Sequence, residues 1–282
     1  MKISFLDFWK YPVPFEPNNN FIYYLLCESF ENIELVEPED ADLIIFSCFG
    51  NDNTRFKHCK KLFYTGENIR PSSKKCSYSI SFDYDDYQET NIRIPLWMMY
   101  IDWFNKKTYS NPEYLIPENY LYGENEFSTK SKDKFCSTVF SATYELRVNA
   151  VNILSNYKKV DVYGKFGHLI PYGEKAKMDI ISDYKFSLCF ENSIYPGYFT
   201  EKLLHAKIAG TIPLYYSDLS FHNDFNSKCC INIEEIGLDS LHQKVIEIDS
   251  NSKLYSEILN EPLFLNKLSL EPTINQIKKL LS

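Results

Sequence analysis

Short apolar runs separated by polar connectors set the rhythm of this chain, and that rhythm predicts its elements. Residues 3 to 8 read as a buried strand. After a proline-rich loop, residues 19 to 30 place Phe21, Tyr24, Leu25 and Leu26 on one face of a helix. Short strands follow at 34–36, 43–46 and 62–64, between acidic or polar connectors. A strand, helix, strand order implies a parallel α/β sheet, because parallel neighbours need a crossover between them. Residues 98 to 132 are irregular and polar, with N-P-E-Y-L-I-P-E-N-Y and G-E-N-E-F-S-T-K-S-K-D-K, which marks a boundary between domains. A second series then begins: strand 134–140, helix 145–156, strand 160–163 ending in Gly164, helix 174–182, strand 186–190, helix 201–209 and strand 212–216. The expected fold class is therefore α/β, two Rossmann-like domains at 1–130 and 131–282 facing each other across a cleft, with ligands at the carboxyl ends of the strands. A final helix over 272–282 could pack back on the first domain.

Length supports two domains, since 282 residues exceed the ~100–200 of a typical single one. A formal charge of −8 argues against a nucleic-acid partner, because neutralising a phosphate backbone needs an excess of clustered Lys and Arg. Any phosphate bound here must be met by local cations. The 22 Tyr and 21 Phe exceed what a minimal core needs. Packing absorbs most of them, and the surplus suits stacking on bases and sugar faces. The 8 cysteines show neither a C-x-x-C pair nor Cys/His zinc spacing, so free thiols in a reducing compartment are expected. Of the adjacent Cys229 and Cys230, one is expected to face a core and the other not. The start, MKISFLDFWKYP, lacks the long apolar stretch of a signal peptide. No run reaches the ~18–20 apolar residues of a membrane span, and N-x-S/T sequons are absent. The expected location is cytoplasmic, either free or resting on the inner membrane.

Chemistry concentrates in residues 184 to 216, Y-K-F-S-L-C-F-E-N-S-I-Y-P-G-Y-F-T-E-K-L-L-H-A-K-I-A-G-T-I-P-L-Y-Y. The strand delivers Glu191 and Asn192 to a carboxyl-end loop. Thr200 is placed to cap a helix that stops at Gly210. Glu201 and Lys202 then fall in its first turn. A carboxylate suits the positive end of the helix dipole, whereas a lysine opposes it by ~0.3–1 kcal/mol. A bound diphosphate would reverse that sign, since free N–H groups and the ammonium would both face negative oxygens. A Lys202 that simply extends into water is the alternative left open by position alone.

This segment resembles the donor-binding signature of the alpha-1,3-fucosyltransferase family, in which a strand ending F-E-N-S is followed by Y-x-T-E-K, a helix and a short strand after Pro. Other segments are similar to the same family in the same order. F-Y-T-G-E-N at 63–68 looks like its acceptor-side loop, and F-D-Y-D-D-Y…R-I-P-L at 82–96 like the stretch after it. F-S-A-T-Y-E-L-R at 140–147 resembles the segment carrying the donor-contacting arginine, and V-D-V-Y-G at 160–164 the next strand and turn. The opening strand with Phe8-Trp9 resembles the start of the catalytic region, so the likeness runs along nearly the whole chain.

The resemblance implies a GT-B fold and inverting transfer of L-fucose from GDP-fucose to an acceptor glycan of the N-acetyllactosamine type, as in a surface polysaccharide. It implies Glu67 as catalytic base, and Arg147, Asn192, Tyr198, Glu201 and Lys202 as donor-binding residues. Trp9 and Asn68 fall on the acceptor side, and a core role for Trp9 remains the competing reading. Asp83-Tyr84-Asp85 spells the D-x-D by which another glycosyltransferase architecture holds a metal, but it lies outside the donor signature and is read as an ordinary acidic cluster. No cofactor is required by a site with Arg147 and Lys202, which leaves a divalent cation as a stimulant at most. Departures from the family pattern touch the donor side: Ala142 stands where Asn often follows the serine that is here Ser141, Ser217 replaces a glycine, and Phe199 a Val or Ile. They keep open a same-fold enzyme using another deoxy-sugar nucleotide. A binding protein without turnover, and a NAD-dependent epimerase, are the readings from other classes. Retention of Glu67, Arg147, Glu201 and Lys202 together speaks against the first, and the absence of G-x-G-x-x-G after the first strand against the second.

Overall fold

The computed structural model describes residues 1–140 and 142–282, so Ser141 lies outside the described residues. The chain folds into two compact units, residues 1–115 with 268–282 and residues 116–267. In the first, β1 (Lys2–Leu6), α1 (Phe21–Ser29), β2 (Glu34–Leu35), β3 (Leu43–Phe46), β4 (Lys60–Tyr64), β5 (Tyr78–Ser81) and β6 (Asn91–Arg93) form a sheet of order β2-β1-β3-β4-β5-β6. Every neighbouring pair runs parallel. An all-parallel sheet has to be covered on both faces, and the apolar runs of β3 and β4 meet that demand. Leu43, Ile45 and Leu62 join one core with Leu25 and Leu26 of α1, while Ile44, Phe46 and Phe63 pack into a second. The helix α1 starts where it does because the Asn20 side chain accepts the Tyr23 N–H at 2.9 Å.

The second unit contains β7 (Lys134–Val139), α2 (Glu145–Ser155), β8 (Val160–Tyr163), α3 (Glu174–Ile181), β9 (Tyr184–Phe190), α4 (Glu201–Ile208), β10 (Ile212–Tyr216), β11 (Ile231–Asn232), α5 (Ile233–Ile236), α6 (Leu238–Ser250) and α7 (Ser252–Asn260). Its sheet has the order β11-β10-β9-β7-β8, again all parallel. Central β9 pairs Phe186 with Ile212 and Leu188 with Leu214, and these side chains form the middle of the unit's core. Pro213 is tolerated in β10 because β11 pairs only with Leu214 and Tyr215 beyond it. The last helix, α8 (Glu271–Leu281), belongs to the first unit, where Leu270 and Ile277 enter the core that holds α1.

The α/β class expected from the sequence is the one found, but the boundary expected near residue 130 falls at 115/116. Side chains of the polar stretch account for the difference. The Asn125 amide donates to the Ile208 carbonyl at 3.1 Å, and Phe127 is fully buried. The Lys132 ammonium donates to the carbonyls of Phe127, Ser182 and Ala209 at 3.1, 2.6 and 2.9 Å. Ser182 and Ala209 are the C-cap residues of α3 and α4, so this lysine satisfies two helix ends that would otherwise carry unpaired carbonyls. A segment that reads as a linker is thus fastened to the helix ends of the second unit. The expectation for the adjacent cysteines also changes, since Cys229 and Cys230 are both buried. All 8 cysteines are free thiols. Among the described residues no helix is long and apolar enough to cross a membrane.

Candidate active site

The second unit presents a pocket of about 430 Å³ at the carboxyl ends of β7, β8 and β9, with Phe140, Gly164, Arg147, Asn192, Glu201 and Lys202 in its wall. Gly164 has φ +100°, and a side chain there would run into the Phe140 carbonyl, so only glycine lets the two strand ends approach this closely. Arg147 sits in the first turn of α2, yet it is only 6% exposed. Its guanidinium donates to the carbonyls of Ala142, Phe190 and Glu191 at 3.2, 2.9 and 3.4 Å and to the Asn192 amide oxygen at 2.9 Å. The rings of Phe140 and Tyr144 lie 5.9 and 5.0 Å from it. Among the described residues no carboxylate comes within ion-pair distance of it, and burial lowers its pKa. The charge of Glu191 acts on it only from beyond ion-pair distance, so a cation taken out of water and held by carbonyl dipoles and ring faces has no contacting counter-ion among the described residues.

Four further charged residues line the same wall: Lys177, Lys202, Glu201 and Glu174, the first residue of α3. The Lys202 ammonium bonds the Thr200 hydroxyl at 2.7 Å and the Glu191 carboxylate at 3.2 Å, with Glu201 at 3.9 Å. Lys177, on α3, reaches Glu201 at 3.3 Å. Burial opposes the charge of Glu201, but Lys202 and then Lys177 outweigh it and hold its carboxyl well below the usual carboxylate range. Burial likewise opposes the charge of Lys202, and Glu191 and Glu201 more than restore it. Thr200 occupies the N-cap position of α4, but its hydroxyl does not cap the helix as expected; it donates to Glu191 at 2.7 Å instead. The Thr200 N–H is taken by Glu191 at 2.8 Å.

The first unit holds a pocket of about 300 Å³ lined by Trp9, Phe15, Phe49, Tyr64, Gly66 and Glu67 among others. Trp9 meets Phe15 and Phe49 edge-on at ring separations of 5.2 and 6.1 Å, leaving an aromatic wall. Glu67 follows β4 after Thr65 and Gly66, with its N–H on the Thr65 hydroxyl at 3.1 Å and its side chain exposed. At Gly66 a Cβ would come within 3.2 Å of Leu96, which keeps the turn close against the pocket floor.

Residues 3–100 match the family model described as alpha-(1,3)-fucosyltransferase FucT N-terminal domain, and residues 129–260 match the one described as glycosyltransferase family 10 (fucosyltransferase) C-term. The chain belongs to the family 10 fucosyltransferases. It is 27% identical to the Helicobacter pylori alpha-(1,3)-fucosyltransferase FucT over 93% of its own length and 60% of that relative's. It is also 34% identical to the human 4-galactosyl-N-acetylglucosaminide 3-alpha-L-fucosyltransferase 9 over 48% of its length and 38% of the relative's. The chain thus spans about 60% or less of these curated relatives. A solved alpha1,3-fucosyltransferase superposes with a TM-score of 0.76 at 24% identity, covering 99% of this chain and 89% of the other. A solved alpha1,3-fucosyltransferase with GDP-fucose superposes with a TM-score of 0.74, also at 24% identity, covering 100% and 90%. These likenesses show the fold.

Within this fucosyltransferase scaffold, Arg147, Asn192, Glu201 and Lys202 come together on one pocket, and Trp9 and Glu67 on the other. Tyr198 does not join them: it is 4% exposed and lines neither pocket, because the turn before α4 points it inward. Asn68 is half-buried and stands outside the aromatic pocket's lining. Asp83 of the D-x-D is 4% exposed and is held by Arg70 and the Tyr87 hydroxyl. Lys177 was missed by sequence reasoning. On a helix rich in lysine and acid, E-K-A-K-M-D, nothing local separates the residue facing the pocket from the one facing water.

One consequence is a pH effect on stability. His205, on α4, is fully buried, and burial, with Lys177 next, lowers its pKa to about 3 from 6.5. Its folded pKa is depressed, so the unfolded chain takes up the proton first. The associated stability is present above pH 6.5 and is lost progressively down to pH 3. Between pH 7 and 5 the loss is about 2 kcal/mol at 1.36 kcal/mol per pH unit. Thermal unfolding at both pH values should show His205→Leu losing about that much less than the wild type on acidification. Equal acid sensitivity in the two proteins would rule the linkage out.

Proposed function

We propose that the protein transfers L-fucose from GDP-β-L-fucose to the 3-hydroxyl of an N-acetyllactosamine-type acceptor, with inversion to an alpha linkage. The observation that carries this reading is Arg147, a buried guanidinium with no carboxylate at ion-pair distance among the described residues, beside Lys202 and Lys177 in one pocket. A diphosphate is the counter-ion such a wall is built to take. Membership of the fucosyltransferase family, and the GDP-fucose named with one solved structure of the same fold, support that choice of nucleotide sugar.

In the proposed step the acceptor oxygen forms a bond to the anomeric carbon as the bond from that carbon to the β-phosphate oxygen breaks. Glu67 receives the acceptor proton, and the electron pair of the broken bond leaves on GDP. Arg147, Lys177 and Lys202 oppose the negative charge that grows on the departing diphosphate, which is the usual way a preorganised site lowers such a barrier. Glu201, already held as an anion by Lys202 and Lys177, accepts hydrogen bonds from donor hydroxyls, and Asn192 fixes the guanidinium while lining the pocket. Trp9, Phe15 and Phe49 offer the apolar faces on which a sugar ring stacks. Tyr198 is inside the protein and has no direct donor contact in this scheme. The three cations make a divalent ion unnecessary for phosphate binding. The free thiols on all 8 cysteines fit a reducing, cytoplasmic setting.

The product decides the reading. Incubation with GDP-fucose and N-acetyllactosamine, followed by NMR of the purified trisaccharide, should give a fucose in alpha linkage to O3 of the N-acetylglucosamine. Transfer from another GDP- or deoxy-sugar nucleotide in preference to GDP-fucose, or a beta product, would overturn it.

A further inference from the structure

We infer that Glu191 is a positioning residue for donor binding: its buried carboxylate fixes the Lys202 ammonium at the wall of the donor pocket. The inference rests on the reading of that pocket as a diphosphate site. Glu191 is 3% exposed and lines neither depression at the donor end, so it does not touch the donor. Each of its oxygens is occupied. Oε1 accepts the Thr200 N–H and the Tyr215 hydroxyl, both at 2.8 Å. Oε2 accepts the Thr200 hydroxyl at 2.7 Å and the Lys202 ammonium at 3.2 Å.

This arrangement resolves an electrostatic conflict. Lys202 lies in the first turn of α4, where the helix dipole repels a cation, and burial adds a desolvation cost. A solvated lysine would escape by extending into water, but its side chain is held at 20% exposure. Glu191 supplies the missing negative charge from outside the helix. It also accepts the N–H of Thr200, the N-cap residue of the same helix. Tyr215, fully buried on β10, anchors the carboxylate from the far side. The other charged groups around Lys202 are Glu201 and His205 on α4, Arg147 on α2, and Lys177 on α3 through Glu201. Of the carboxylates, Glu191 is nearer to Lys202 than Glu201 is, at 3.2 against 3.9 Å.

The test is calorimetric binding of GDP, and of inorganic pyrophosphate, to wild type and Glu191→Gln from pH 7 to about pH 11.5, past the ordinary lysine pKa of about 10.4. Glutamine keeps the shape and most acceptor contacts but removes the charge. The nucleotide's own ionisations are common to both proteins, so a displacement between the two curves belongs to the protein. The alkaline fall in affinity should move ~1–3 pH units lower in Glu191→Gln, the usual effect of deleting an opposite charge at contact distance. Circular dichroism identifies a variant that fails to fold, and Glu191→Asp, which keeps the charge but draws it back from Lys202 by one methylene, then replaces it with a smaller shift in the same direction. Weaker binding at every pH with the midpoint unmoved would mean that Glu191 only caps α4, and would overturn the inference. Tighter binding with an unmoved midpoint would mean that it merely repels the ligand, which overturns the inference equally. A wild type that binds pyrophosphate but not GDP would retire the nucleotide reading while leaving the Glu191 comparison intact, and one that binds neither would retire both.

Discussion

Glu67→Ala should lower the turnover of GDP-fucose with acceptor by ~10²–10⁴-fold, the range usual for loss of a general base, while leaving GDP affinity as it was. The two readouts separate because Glu67 lies in the first unit's aromatic pocket, and the cations that would hold the diphosphate belong to the second unit. Its side chain is exposed, so stability should change by no more than ~0.5 kcal/mol. Glu67→Gln provides the control, since it preserves size and hydrogen bonding but cannot accept the proton. A similar fall in both variants locates the effect in the base. Unchanged turnover in Glu67→Ala would remove Glu67 from the mechanism.

The second large effect is expected at Arg147, and here the conservative change is the informative one. Arg147→Lys keeps a positive charge but cannot serve the Phe190, Ala142 and Asn192 acceptors from one planar group. It should lose ~10²–10³ in kcat/KM for GDP-fucose, comparable to removing one donor from a site that stabilises developing negative charge. Weaker GDP binding should accompany that loss, unlike the result for Glu67. A lysine variant within a few-fold of wild type would show that a point charge suffices, and that the carbonyl-bound guanidinium serves packing.

Much of this was legible in the amino-acid sequence, for reasons that differ from element to element. Strands β3, β8 and β10 are short runs dominated by aliphatic and aromatic residues between polar connectors, and their expected bounds coincide with those observed. Strands β5 and β6 were not legible as strands. Their interior positions include Ser79 and Ser81, both 2% exposed, whose hydroxyls bond the Asn91 side chain at 2.8 and 2.9 Å. Polar residues that satisfy one another inside a sheet imitate a loop in the pattern. Arg147 could be found only by resemblance, because an arginine in the first turn of a helix ordinarily reaches water, and the carbonyls that bury it come from the end of β9, more than 40 residues away. The part played by Glu191 needed coordinates for the same reason. Its partners Thr200, Lys202 and Tyr215 lie on a loop, a helix and a strand whose convergence no local spacing encodes.

The central claim, a nucleotide-sugar transfer driven by protein cations, is tested most directly by GDP release from GDP-fucose with and without N-acetyllactosamine, each in the presence of EDTA. The expected result is release that requires the acceptor and persists in the chelator. Release that stops in EDTA and returns with a divalent cation, or that proceeds at the same rate without acceptor, would contradict it.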